Sequence, residues 1–218
     1  MKKILILSIA LGGLVYTGCK KRDAYDVSQL AVESHPVITF TGSKFVSIPV
    51  GGTVPNIAVT AYDSFYNEVC QVTVGESAID NTTPGLYFQE FVAKNSKGFR
   101  STAAAYVAVT DVPASADLSG VYKRAGNNAV VNLTEVANGL YQTDNLFGTP
   151  LGTPGGAYVN AYFVHVNDST IAMPDQPTDL GTLQTDDVGL HLAPGDTTYS
   201  YKIFNLTSNN ALRTFKKQ

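Results

Sequence analysis

The chain has 218 residues, of which 15 are Lys or Arg and 18 are Asp or Glu, giving a net charge of −3. A mildly acidic chain without a basic run is a poor candidate for nucleic-acid binding, because that affinity comes mostly from neutralising phosphates. Only 15% of the residues are charged, and no window has the apolar spacing of an amphipathic helix. These features argue against helical bundles, coiled coils and α/β nucleotide-binding enzymes.

The N-terminal segment has the organisation of an export signal. Lys2 and Lys3 precede an apolar stretch at residues 4–15, which is shorter than the roughly 20 residues of a permanent membrane span. Gly18 and Cys19 follow, and after them a polar run at residues 20–23. A small residue before a cysteine at this place resembles a bacterial lipoprotein signal, here residues 1–18.

The resemblance implies that Cys19 is acylated and becomes the new N-terminus. Several acyl chains on one residue hold a protein firmly on a membrane, because each buried methylene contributes about 0.8 kcal/mol. The alternative is an ordinary secretory leader followed by a chance cysteine. We therefore expect a lipid-anchored outer-membrane protein of the Bacteroidetes type, on the cell surface rather than on the periplasmic face.

Cys70 is the other cysteine of the chain. If Cys19 carries lipid, no intramolecular disulfide can form. Cys70, Val72 and Val74 share one face of a predicted strand, which indicates that Cys70 is a small buried core residue. A catalytic cysteine would need a nearby His and electropositive surroundings, and the sequence indicates neither.

After a polar segment at residues 19–34, which predicts a flexible tether, the pattern is β throughout. Apolar and β-branched segments of strand length alternate with turns rich in Gly, Pro, Asn and Asp. The predicted strands of the first unit are 37–40, 45–50, 56–62, 69–74, 85–93 and 102–109. Strands of this length, with a turn about every 8–12 residues, predict a β-sandwich over residues 35–112.

Four short motifs of this unit resemble those of bacterial immunoglobulin-like domains. They are Gly51-Gly52, Ala61-Tyr62-Asp63 before a turn, Pro84-Gly85-Leu86-Tyr87, and Asn95 shortly before Gly98. Such domains recur near the N-terminus of Bacteroidetes surface lipoproteins. The resemblance implies an immunoglobulin-like sandwich that serves as a spacer or platform and carries no chemistry of its own.

A Pro/Ala-rich segment at residues 112–116 predicts a linker before a second unit at residues 117–218. The predicted antiparallel strands of this unit are 129–136, 139–143, 157–166, 169–173, 188–192, 198–206 and 211–216. Its opening Leu-x-Gly-x-Tyr at 118–122 and the run 138–144 resemble C-terminal β domains of lipoproteins encoded beside Bacteroidetes glycan-uptake systems. The predicted fold is all-β, and the pattern leaves open whether the second unit is a sandwich or a small barrel.

No motif for catalysis, a metal or a cofactor stands out. His35, His165 and His191 are far apart and lack the spacing of a transition-metal site. Residues 148–156 are rich in Gly and Pro, but they lack the lysine of a phosphate-binding loop and lie between β segments, which predicts a surface loop. We therefore expect no catalytic residues, no metal and no cofactor.

Five aspartates cluster late in the chain: Asp175, Asp179, Asp186, Asp187 and Asp196. A glycosidase needs two carboxylates about 5–9.5 Å apart, and calcium takes oxygen ligands. Several of these aspartates lie beside Pro or Gly, where Asp forms turns for local reasons. We interpret them as turn formers, with a calcium loop and general acid–base catalysis as the alternatives.

The aromatic residues are more informative, with 12 Tyr, 10 Phe and no Trp. Sugar rings stack on flat aromatic side chains. Most of the aromatic residues alternate within strands and are predicted to be core. Phe65 and Tyr66 occupy a turn, where Gly or Asn is usual, while Phe147 and Tyr158 flank the Gly/Pro segment. These four are the candidate ligand-binding residues; the alternative is that they pack against their own or the neighbouring unit.

The hypothesis from the sequence is a non-catalytic glycan-binding accessory of a polysaccharide-uptake system. Its expected partners are the membrane, a polysaccharide or oligosaccharide, and an outer-membrane transporter complex. One alternative is a structural or adhesive surface protein, such as a pilus-like component, that binds protein partners through its sheet edges. A second alternative is a glycoside-active enzyme.

Overall fold

A computed structural model describes residues 32–206 and 210–218. Within these ranges every regular element is a β-strand, which confirms the all-β prediction. Residues Ser34–Gln218 form one compact unit, and all contacts given below lie within it. The predicted leader, Cys19 and the predicted tether as far as residue 31 lie outside the described residues.

The first half of the compact unit is a sandwich of two sheets. Its strands are β1 (Val37–Phe40), β2 (Phe45–Ile48), β3 (Val59–Asp63), β4 (Glu68–Val69), β5 (Gln71–Ser77), β6 (Gly85–Lys94) and β7 (Arg100–Val109). One sheet has the order β1-β3-β4, the other β2-β7-β6-β5, and β2 pairs with β7 in parallel. Alternate residues of β7, including Val107, face inward and pack with Ile57 and Phe91 between the sheets. The sandwich prediction is confirmed, while the immunoglobulin-like resemblance stays a prediction.

The second half is a nearly closed β-barrel, which decides between the two topologies left open by the sequence. Its strands are β8 (Gly120–Arg124), β9 (Val130–Ala137), β10 (Leu140–Thr143), β11 (Ala161–Asn167), β12 (Thr170–Ala172), β13 (Gln176–Thr178), β14 (Gly181–Leu183), β15 (Thr185–Ala193), β16 (Asp196–Ile203) and β17 (Arg213–Lys217). The antiparallel order is β12-β11-β10-β9-β8-β17-β16-β15, and β13-β14 is a separate hairpin. The two sheet edges meet where the Leu190 amide donates to the Ser169 carbonyl at 3.3 Å.

Side chains fill the interior of the barrel. Tyr122, Tyr201 and Phe215 are fully buried there. A buried tyrosine needs a partner for its hydroxyl, and Tyr201 donates to the Leu146 carbonyl at 2.6 Å, while Tyr122 donates to a carbonyl at 2.7 Å. A barrel packed in this way is a core rather than a channel. A ligand of the barrel would therefore have to bind at one of its ends or on its outer surface.

The two halves are joined by a third apolar cluster. Leu86 and Tyr106, on the outer face of the four-stranded sheet, pack against Leu140 and Val164 on the outer face of the barrel. The rings of Tyr106 and Tyr162 lie 4.4 Å apart between centroids. Burial, and then the neighbouring Tyr162, raise the pKa of Tyr106 to about 12. The contact is thus a packed aromatic and aliphatic interface rather than a loose hinge.

The predicted linker at residues 112–116 contains no strand and runs along this interface. Pro113 is exposed, but Val112 is buried, and its carbonyl accepts a hydrogen bond from Asn138 Nδ2 at 3.1 Å. Nearby, Thr110 Oγ1 donates to the His165 carbonyl at 2.6 Å. Whether the halves on either side fold independently stays a prediction.

Several strand boundaries differ from the expected ones. The predicted strand 69–74 is two strands, β4 and β5, separated at Cys70. Cys70 is buried, as predicted, and burial raises the pKa of its thiol. Val72 and Val74 pair with the buried residues Ala93 and Phe91, so they share one face as expected, but Val74 is 59% exposed because β5 is an edge strand.

Candidate functional site

Phe65 and Tyr66 form an exposed aromatic pair on the turn after β3. Phe65 is 59% exposed and Tyr66 is half-buried, and their rings meet edge to face with centroids 5.0 Å apart. Asp63 Oδ1 accepts hydrogen bonds from the Phe65 amide at 3.0 Å and from the Tyr66 amide at 3.1 Å. The turn is therefore an Asx-type structure, held by the aspartate that precedes it.

Asp63 itself is fully buried and hydrogen-bonded on both oxygens. Besides the two turn amides, it accepts hydrogen bonds from Ser34 Oγ and Asn95 Nδ2, each at 2.8 Å. Burial works to raise the pKa of Asp63, but the hydrogen bonds from Asn95, Ser34 and the two turn amides together lower it below its usual value. Asp63 and Asn95 belong to two of the motifs noted in the sequence, and their hydrogen bonds give both residues a structural role in holding the turn.

The Gly/Pro segment is a loop, as predicted, and it closes on itself. Asn145 Oδ1 accepts the Thr149 amide at 2.9 Å, and Asn145 Nδ2 donates to the Thr149 carbonyl at 2.9 Å. The Tyr158 hydroxyl donates to the Pro150 carbonyl at 2.8 Å, although the side chain is 44% exposed. Tyr158 therefore braces the loop with its polar end and keeps part of its ring in solvent.

Beside this loop lies an open depression of about 370 Å³ at one end of the barrel, called here the barrel-mouth cavity. Phe147 is half-buried in its wall, against the barrel core. The loop residues 153–157 form one side, and Leu180 and Leu206 form another. A volume in this range is at the lower end of those that hold small ligands.

Two arginines complete the wall of the barrel-mouth cavity. Arg124 Nη1 donates to the Phe147 carbonyl at 3.0 Å and contacts that of Gly148 at 3.4 Å. Arg213 is 4% exposed, and its Nη1 donates to the Ala211 carbonyl at 3.1 Å, whereas its Nε is buried and has no acceptor among the described residues. Burial, and then the positive charge of Arg124, lower the pKa of Arg213. The cavity thus combines an aromatic ring with strong hydrogen-bond donors.

A larger cavity of about 860 Å³ follows the edge of the sandwich. Glu68, Lys94, Lys97 and Arg100 lie along it, and no aromatic ring forms part of its described wall. The Tyr66 ring is nearby, with Lys97 Nζ 5.9 Å from its centroid. This open charged groove offers fewer flat apolar surfaces to a sugar than the barrel-mouth cavity does.

Two of the five late aspartates take part in ion pairs. Asp187 pairs with Lys202, and Asp196 Oδ1 lies 3.0 Å from Lys216 Nζ. His165 is buried in the barrel, whereas the side chain of His191 is exposed. Among the described residues there is no group of three or more His, Cys, Asp or Glu side chains that could hold a metal ion.

Of the two residues predicted beside the Gly/Pro loop, Phe147 lies in the wall of the barrel-mouth cavity and Tyr158 does not, while the sequence did not single out either arginine. Arg124 follows Tyr122 by two residues, and Arg213 precedes Phe215 by two residues, so each arginine faces the same side as a fully buried ring. A charged residue in phase with buried aromatics was the available signal. The hairpin β13-β14 near the cavity was also missed, because Pro177 and Asp179 suggested a loop.

In the part of the chain covered by the structure, no helix has the length and apolar character needed to cross a membrane. No protein-family model matches the chain, and no curated protein matches it. Among solved structures, the chain is similar to the crystal structure of a lipoprotein from Bacteroides thetaiotaomicron. That similarity has 19% identity and a TM-score of 0.38, covering 84% of this chain and 100% of the other.

Proposed function

We propose that this protein is a lipid-anchored envelope lipoprotein that binds a glycan at the barrel-mouth cavity without chemically altering it. The observation that carries the proposal is the meeting of three features in one place. The ring of Phe147 and the donor groups of Arg124 and Arg213 line the same cavity of about 370 Å³.

The chemistry of a sugar matches such a wall. The C–H face of a pyranose ring stacks on an aromatic ring, and its hydroxyl groups accept hydrogen bonds from guanidinium and backbone N–H groups. The Gly/Pro loop above the cavity is closed by Asn145 and braced by Tyr158. A loop held in this way loses little conformational entropy when a ligand binds.

The lipid anchor is the second part of the proposal, and it rests on the sequence around Cys19. Gly18 before Cys19, after a short apolar stretch, is typical of acylated bacterial proteins. An outer-membrane position at the cell surface would give the cavity access to polysaccharide and to a transporter complex. The non-catalytic role fits the engagement of Asp187 and Asp196 in ion pairs.

The test is retention of the full chain, in a polyoxyethylene detergent, on a panel of immobilised polysaccharides. Phe147→Leu keeps an apolar side chain but removes the ring, so the loss of stacking should weaken binding about fivefold, or on the order of 1 kcal/mol. Leu151→Ala is the matched control, because Leu151 lies on the same loop, is 94% exposed and is not part of the cavity wall.

Phe65→Ala and Tyr66→Ala serve as the rival site. If these two changes weaken retention and Phe147→Leu does not, glycans bind at the turn after β3 and the barrel-mouth assignment is wrong. If no polysaccharide in a broad panel is retained, the glycan-binding proposal fails.

One observation favours the alternative of a structural or adhesive protein. Val37, Tyr62 and Val69 lie side by side in the register of β1-β3-β4 and are 66%, 44% and 83% exposed. A row of exposed apolar side chains across a sheet is typical of an interaction surface. Concentration-dependent self-association of the full chain in detergent that is abolished by Val69→Lys would support this function.

A further inference from the structure

We propose that the barrel-mouth cavity is built for an anionic group, so that its glycan is an acidic one bearing a carboxylate or a sulfate. The sugar part of this inference rests on the proposed function. The charge part rests separately on Arg124 and Arg213.

Arg213 is a buried charge for which the described part of the chain supplies no counter-ion. It is 4% exposed, and neither Arg213 nor Arg124 forms an ion pair within residues 32–206 and 210–218. The ionisable groups that shift the pKa of Arg213 are Arg124 and Tyr201, and neither carries a negative charge at neutral pH, since burial raises the pKa of Tyr201. Buried guanidinium groups are ordinarily paired with a carboxylate or another anion, because an unpaired buried charge is costly.

Arg124 adds a second positive charge on the same wall. Its Nη1 is held by the carbonyls of Phe147 and Gly148, so the guanidinium is positioned by the base of the Gly/Pro loop. The repulsion between the two arginines contributes to the lowered pKa of Arg213, after the larger effect of burial. An anion in the cavity would relieve that repulsion and give Arg213 the acceptor that its Nε lacks.

The geometry of the groups indicates the kind of anion. A guanidinium presents N–H donors in a planar fork that matches two oxygens of a carboxylate or a sulfate. The Phe147 ring beside it provides an apolar face for the carbon skeleton to which the anion is attached. An acidic sugar has both parts, an anionic group and a C–H face.

The experiment measures binding to the full chain in a polyoxyethylene detergent by isothermal titration calorimetry. The probes are a galacturonate trisaccharide, its neutral methyl ester, a sulfated galactan oligosaccharide and the desulfated form of that oligosaccharide. In parallel, sodium sulfate and sodium citrate are tested for a rise in melting temperature at constant ionic strength. The variants are Arg213→Met and Arg124→Gln.

Lys123→Gln is the matched control. Lys123 is adjacent to Arg124 on β8 but exposed on the opposite face of the strand, so its change removes the same charge outside the cavity. Arg213→Met should melt at or above the wild-type temperature, because it removes an unpaired buried charge. If that variant fails to fold, Arg124→Gln decides the question alone.

We expect one of the acidic probes to bind about tenfold or more tightly than its neutral partner, since a hydrogen bond to a charged group contributes on that order. Both arginine variants should lose this preference, and Lys123→Gln should keep it. The member of the panel that shows the preference identifies carboxylate or sulfate as the group bound.

Equal binding of the acidic and neutral forms would overturn the anion inference and leave glycan binding intact. If no oligosaccharide binds but sulfate or citrate stabilises the wild type and not Arg213→Met, the anion site stands and the glycan function fails. If neither oligosaccharides nor small anions have an effect, both are wrong.

Discussion

Leu86→Ala tests whether the sandwich and the barrel unfold as one cooperative unit. Leu86 is 5% exposed and packs with Leu140 and Val164 of the barrel. Truncating a buried leucine costs about 2–5 kcal/mol, and we expect the lower half, about 2–3 kcal/mol, because partly buried residues at the edge of the cluster can relax inward. For a unit of this size, that loss lowers the melting temperature by about 4–12 °C.

The assay is thermal and urea unfolding followed by circular dichroism, together with hydrogen exchange of the backbone amides of Tyr199 and Tyr201. These residues lie in β16, deep in the barrel and away from the substitution. If the halves are coupled, Leu86→Ala shifts a single unfolding transition. The free energy of protection of the β16 amides then falls by the same amount as the free energy of unfolding. The control is Val69→Ala. Val69 is 83% exposed, so this substitution should change the free energy of unfolding by no more than about 0.5 kcal/mol.

Two separate transitions, with only one displaced and the β16 amides unaffected, would refute the coupling. Limited proteolysis provides an independent readout, since residues 112–116 were predicted from the sequence to be a linker. Cleavage there that yields two folded fragments would agree with independent domains and contradict the cooperative interface described here.

Two further predictions concern the anchor and the turn. Cys19→Ser should abolish incorporation of a fatty-acid probe and leave the protein unprocessed by the lipoprotein pathway, and labelling equal to that of the wild type would contradict the anchor. Because the folded-state pKa of Asp63 lies below its ordinary value of about 3.9, its carboxylate stabilises the fold above that pH and the stabilisation is lost as the pH falls through the folded-state pKa. Asp63→Asn should therefore lower the melting temperature at pH 7 and reduce its decline as the pH falls below about 4; an acid limb identical to that of the wild type would show that Asp63 is not responsible for it.

Local pattern was sufficient for much of the fold. The predicted bounds of β1 agree with the observed ones, and those of β6 and β7 agree within two residues, because all three are runs rich in apolar residues. The same rule failed around Cys70, where one apolar run serves two sheets. It failed again at β13-β14, whose Pro and Asp residues are equally typical of loops.

The candidate site was harder to predict because it depends on strands that are far apart in sequence. Phe147 could be singled out from its place beside a Gly/Pro run. Arg124 and Arg213 resemble ordinary exposed charges until it is known that β8 pairs with β17, which brings both to the same end of the barrel. Charge pattern along a single strand carries no information about that pairing.

The pairing of β8 with β17 also limits when the barrel can close. Arg124 pairs with Phe215, and Tyr122 with Lys217, so the barrel cannot close until the chain has been synthesised and delivered as far as its last strand. The sandwich is complete much earlier, at Val109. If export proceeds from the N-terminus, the outer face of β6 and β7 is left bare while the remaining hundred or so residues follow, and contacts of such long sequence separation form slowly. The apolar surface around Leu86 and Tyr106 therefore stays uncovered until the barrel strands that pack against it have formed.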